Sequence, residues 1–158
     1  MNERRVDSEW VPLPFHRCFI ICGLANPQKA PRLLRKGVVR YFAIVGHYGG
    51  FDRLAALAVK EARRFYPEVK LTLLLPYHPA DRPIPTPDGF DSTFYPPGME
   101  SVPRKIAIVR ANRYVVDHVD YLIAYAWHPA SNARELVEYA KSREKKGSLF
   151  ITLIKPND

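Results

Sequence analysis

Five short apolar runs punctuate the chain, at Cys18–Cys22 (CFIIC), Tyr41–Val45 (YFAIV), Leu71–Leu75 (LTLLL), Tyr121–Tyr125 (YLIAY) and Leu149–Ile154 (LFITLI). Each is apolar at nearly every position rather than at alternate ones. Strands covered on both faces read this way, and parallel sheets supply that environment. Between the runs the period changes to that of a helix. From Asp52 to Phe65, the residues Leu54, Leu57, Ala58, Ala62 and Phe65 form one stripe at spacings of three and four. Ser101 to Asp117 reads as a second helix, with Ser101 as its cap and Pro103 in its first turn. Asn132 to Lys146 reads as a third, with Ala133, Leu136, Val137 and Ala140 on its buried side. Lys29 to Lys36 is a short helical segment with Pro31 near its start.

Strands and helices therefore alternate. The expected fold class is α/β: a Rossmann-like, three-layer, open parallel sheet of about five strands with helices on both faces. In sequence numbering the expected strand order is 3-2-1-4-5, which places the reversal between the first and fourth strands. The order 2-1-3-4-5 fits the pattern as well. Residues 1–16 stand apart as an N-terminal extension, and 17–158 read as one domain. Pro76 to Pro103 breaks the rhythm with eight of the chain's fifteen prolines. A segment this long leaving the end of a strand serves either as a ligand-contacting lid or as an ordered cover.

Composition adds limits. The chain has 158 residues, 47% of them apolar, which suits a single core-forming domain. No run of about 18 apolar residues spans a membrane, and Met1 to Arg17 lacks the apolar centre of an export signal. Cys18 and Cys22 share a strand face but lie about 13 Å apart, too far for a disulfide. Reduced thiols and a cytoplasmic setting follow. The net charge of +8 concentrates toward the two ends of the chain. It could attract phosphate or nucleic acid, although no groove-reading motif accompanies it, so specific nucleic-acid binding is not expected.

Candidate chemistry gathers where strands end. Val45 to Arg53 (VGHYGGFDR) joins a strand to a helix. Its glycines Gly46, Gly49 and Gly50 would let a ligand approach backbone N–H groups at a positive helix end, with Asp52 as a helix cap. It lacks the Gly-Lys-Ser/Thr ending of a P-loop and the Gly-x-Gly-x-x-Gly dinucleotide pattern. Ala126 to Asn132 (AWHPASN) opens the last helix, with His128, Ser131 and Asn132 as candidates for a phosphate or ribose. The loop opening at Gly23 would meet these two on one sheet edge. Asn112 falls in an otherwise apolar helical stretch and needs polar partners if buried. No two of the five histidines have metal-ligand spacing, and neither a metal nor a cofactor is expected.

Taken together, Gly49–Ala55 (GGFDRLA), Leu75–Tyr77 (LPY), Ser101–Pro103 (SVP), Asn112 and Asp120–Tyr125 (DYLIAY) resemble the bacterial SLOG family, in its YpsA-like group within the wider SMF/DprA–LOG superfamily. The resemblance runs from about Arg17 to Ile154. It implies a Rossmann-like fold and a pocket for a nucleotide-derived ligand. It maps the ligand loop onto Gly46, Gly49, Gly50 and Asp52, the helix asparagine onto Asn112, and the later loop onto His128 to Asn132. Superfamily relatives include phosphoribohydrolases that release cytokinins from nucleoside monophosphates, and a DNA-processing protein. Where the family carries Gly-His-Arg after its first strand, this chain reads Gly23-Leu24-Ala25. The hydrolases' Pro-Gly-Gly-x-Gly-Thr motif has no match either.

Three functions are therefore in view. The favoured one is binding or sensing of a nucleotide or nucleotide-sugar-like molecule. The second is hydrolysis of a nucleotide N-glycosidic bond, with Asp52 or Glu100 assisting water. The third is salt-sensitive, non-specific nucleic-acid binding. The oligomeric state is open, a homo-oligomer included.

Overall fold

The computed structural model describes residues 22–25, 41–125 and 132–154, with the backbone alone described for 22–25, 41, 42 and 132. The chain is mixed α/β. Its elements run β1 (Cys22–Ala25), β2 (Tyr41–Val45), α1 (Gly50–Ala62), β3 (Val69–Leu74), β4 (Ser92–Phe94), α2 (Ala107–His118), β5 (Tyr121–Tyr125), α3 (Asn132–Lys145) and β6 (Phe150–Ile154). The sheet order is β4-β3-β2-β1-β5-β6. Two short parallel groups, β2-β3-β4 and β5-β6, flank β1.

The five expected runs thus take the expected lateral order, and β4 adds a strand from within the proline-rich segment. The all-parallel sheet does not hold. Strand β1 runs antiparallel to both neighbours, with Gly23 in register with Ile44 on one side and Leu122 on the other. A continuous apolar run looks the same in either direction, so the pattern could place this strand but not orient it. Its bounds also shift from Cys18–Cys22 to Cys22–Ala25; Cys18 and the helical segment expected at Lys29 to Lys36 lie outside the described residues.

Alternation along β2 separates two cores. Ala43 and Val45 pack with Leu71 and Ala56 of α1. Ile44 turns the other way and joins Leu74, Leu122 and Ala124 under α2 and α3, through Ala111, Val115, Val116, Leu136, Val137 and Ala140. Helices therefore lie on both faces.

The face that α1 presents is not the one its Leu spacing suggests. Phe51, Ala55, Ala56 and Val59 turn to the sheet, while Leu54, Leu57 and Phe65 are exposed. The cause is Asp52, whose buried side chain is tied to the turn before the helix. Positions 52, 56 and 59 then follow it inward at helical spacing. The small Ala55 and Ala56 let the helix sit close to the strands.

Helix α2 also departs from expectation. Ser101 does not cap it. Pro103 keeps Val102 extended (φ −84°, ψ 126°), and the chain makes 3-10 turns at Met99–Ser101 and Arg104–Ile106 before the α-helix begins at Ala107. Near the end of α3, Arg143 is half-buried. Its guanidinium donates to the carbonyls of Val116, Val119 and Ser148. Strand β6 is a half-exposed edge strand rather than one covered on both faces. Among the described residues, no helix is long and apolar enough to cross a membrane.

The proline-rich segment is held at several points. Asp91 exchanges backbone and side-chain hydrogen bonds with Leu71 (both 2.8 Å), and its carboxylate pairs with Arg63 at 3.0 Å. Arg63 also donates to the Gly89 carbonyl at 2.8 Å. The hydroxyls of Thr72 and Ser92 meet at 3.0 Å, and the Leu75 N–H donates to Phe94 at 2.8 Å.

Candidate functional site

The turn between β2 and α1 is built around one carboxyl group. Gly49 precedes the helix in an extended conformation (φ −128°, ψ 152°) and has no side chain to cap it. Asp52, three residues on, supplies the missing contact: its Oδ2 accepts the Gly49 N–H at 2.9 Å, and the Tyr48 N–H also donates to it. This is half of a capping box, with the carboxyl placed at the positive end of the helix. Asp52 is 6% exposed. Burial pushes its pKa up to about 7, against the opposing pull of the Gly49 and Tyr48 hydrogen bonds. A Cβ at Gly46 would lie 2.9 Å from Asp52 Oδ2, so the absence of a side chain there makes room for the carboxyl.

Aromatic and cationic groups extend from this turn. His47 is partly buried, which lowers its imidazole pKa, and its ring meets Tyr48 edge-on at 5.5 Å. Tyr48 in turn meets Tyr77 edge-on at 5.8 Å. Arg82 donates to the Tyr48 hydroxyl at 3.5 Å. Both Arg82 and Arg104 stand over the Tyr77 ring. Just beyond, His78 meets Tyr95 at 5.3 Å. Burial raises the Tyr95 phenol pKa, and the charges of Glu100 and Asp81 raise it further. On the other flank Phe51 packs against Tyr125 at 5.1 Å, bringing the first turn of α1 beside the end of β5.

Of the residues singled out in the sequence, Gly46, Gly49, Gly50 and Asp52 share this turn. Gly23 is not in a loop; it lies within β1. Because β1 is reversed, Ala25 pairs with Phe42, and the chain leaves β1 at the edge opposite the glycine turn. The three expected loops therefore do not converge. Asn112 is buried on the inward face of α2 with Ala111, Val115 and Val116. Glu100 is exposed in a 3-10 turn near Tyr95. His128 and Ser131 lie outside the described residues, and Asn132 opens α3. The sequence did not single out Tyr48, Tyr77, Arg82 and Arg104 as a group. Tyr48, Tyr77 and Arg104 lie close to strand ends or helix starts, whereas Arg82 lies within the proline-rich segment, and neither placement carries information on which ring an arginine will reach.

No family model and no curated protein sequence matches the chain.

Proposed function

We propose that the chain binds a nucleotide or nucleotide-derived small molecule at the end of the sheet where β2 and β5 terminate. The observation that carries this reading is the glycine turn. A buried carboxyl braces it from inside, and Gly49 and Gly50 bring no side chain to the α1 N-terminus where a ligand would approach. The Phe51–Tyr125 contact supports it by placing the β5 exit alongside. The proposal includes kinship with the SLOG family, a Rossmann-like ancestry for the sheet despite reversed β1, and a cytoplasmic, bacterial setting. Hydrolysis is the weaker reading, because Asp52 is occupied as a brace rather than presented to water.

The test is a thermal-shift screen of the full chain with nucleoside monophosphates and nucleotide sugars, repeated on Gly50→Val. Gly50 is the exposed first residue of α1, so a branched side chain there would occupy the ligand's approach while the helix forms. Ligand-induced melting shifts should appear in the native chain and vanish in the variant, with circular dichroism unchanged. Undiminished shifts in a folded Gly50→Val protein would remove this turn as the site.

A further inference from the structure

We propose that Arg82 and Arg104 form a phosphate-holding subsite around Tyr77, at the entrance to the glycine turn. The inference rests on the nucleotide reading above and names the residues that would take the ligand's anionic end.

The two arginines are far apart in sequence and reach one ring from opposite ends of the proline-rich segment. Arg82 closes a tight turn in which the Asp81 and Arg82 N–H groups both donate to the His78 carbonyl at 3.0 Å, and the Ala80 N–H donates to His78 Nδ1 at 3.1 Å. Arg104 begins the 3-10 turn that leads into α2. Their guanidinium carbons lie 5.1 Å and 5.7 Å from the Tyr77 ring centre. Tyr77 itself is partly buried and packed against the main core, which makes it a fixed platform.

Other arginines have found anionic partners. Arg63 pairs with Asp91, Arg64 with Glu61 and Arg134 with Glu138. Among the described residues, neither Arg82 nor Arg104 makes such a pair. Two like charges gathered at one half-buried ring repel each other, and a polyvalent anion in reach of both would offset that repulsion. A guanidinium beside an aromatic ring still has N–H donors for phosphate oxygens; Arg82 uses one nitrogen on the Tyr48 hydroxyl and keeps the others. Tyr48 links the subsite to the turn, through its hydroxyl to Arg82 and its ring to Tyr77.

The direct probe is inorganic pyrophosphate, titrated calorimetrically into the full chain. The native protein should bind it saturably. The double variant Arg82→Gln/Arg104→Gln should lose about tenfold or more in affinity, as expected when charge-assisted bonds are removed. A control removing the same charge from exposed positions elsewhere, Arg110→Gln/Lys146→Gln, should change it by less than about twofold, the effect of screened distant charge. Both arginine heads are exposed, and circular dichroism should report a folded double variant. Absence of pyrophosphate binding, an unaffected double variant or an equal loss in the control would each overturn the proposal. The four common nucleosides and their 5′-monophosphates separate this outcome from that of the pocket. Should Gly50→Val abolish nucleotide binding while the double variant keeps the native preference for monophosphates, the subsite fails and the pocket stands. Should pyrophosphate bind through the arginines while neither nucleosides nor monophosphates depend on Gly50, the pocket fails and the subsite stands.

Discussion

Asp52 folds with its carboxyl shut away from water, so the folded chain holds that proton to higher pH than the unfolded chain does. With a folded pKa of about 7 against an ordinary 3.8, the native state binds more protons than the unfolded state between those values. Stability contributed by this group is therefore full below about pH 4, declines as pH rises, and is gone above pH 7. Asp52→Asn keeps an oxygen for the Gly49 N–H but cannot ionise. Urea unfolding of both proteins at pH 5 and pH 8 should show the variant gaining on the native chain at the higher pH, by about 2–3 kcal/mol. An equal difference at both values would mean that the carboxyl does not titrate in this range. Gly46→Ala tests the same contact from the other side. Its methyl would meet a carboxyl held by two backbone N–H groups, so the turn must shift, at a cost of about 1–3 kcal/mol in the same measurement.

Helices here are positioned as much by single polar side chains as by their apolar faces. Arg143 of α3 satisfies carbonyls at the C-terminal end of α2 and in the turn before β6, so it joins three elements. Arg143→Ala would leave those half-buried carbonyls without their charged donor. The expected loss is about 2 kcal/mol, and Arg143→Lys should recover little of it, because an ammonium cannot spread its donors over three carbonyls. Chemical denaturation of the two variants checks both statements. Such contacts also explain which elements were legible in the sequence. The buried stripe of α3 follows from periodicity and the bounds of β2 and β5 from continuous apolar runs, because burial there depends on neighbours along the same element. The rotation of α1 depends on Asp52 and the start of α2 on Pro103, and a hydrophobic count gives neither residue any weight. The glycine turn was legible as a strand-to-helix junction. The Tyr77 cluster was not, because it forms only when a long excursion of the chain returns to its starting point.

For the molecule as a whole, the reversed β1 divides the sheet into two parallel groups, and a sheet of this kind has two ends that differ in character. One is β4, three residues long and followed by Pro96 and Pro97. A strand so short, ended by residues that cannot donate, offers a poor template for another chain. The other is β6, five residues long, with Phe150 63% and Leu153 38% exposed. Self-association of the concentrated protein should therefore begin at the β6 end. Leu153→Lys, which puts a charge on that strand, should lower light scattering on prolonged incubation, whereas a lysine at Ser92 of β4 should not. The asymmetry gives an assembling chain one adhesive border and one inert border, so growth that starts there would stop at pairs rather than continue into fibres.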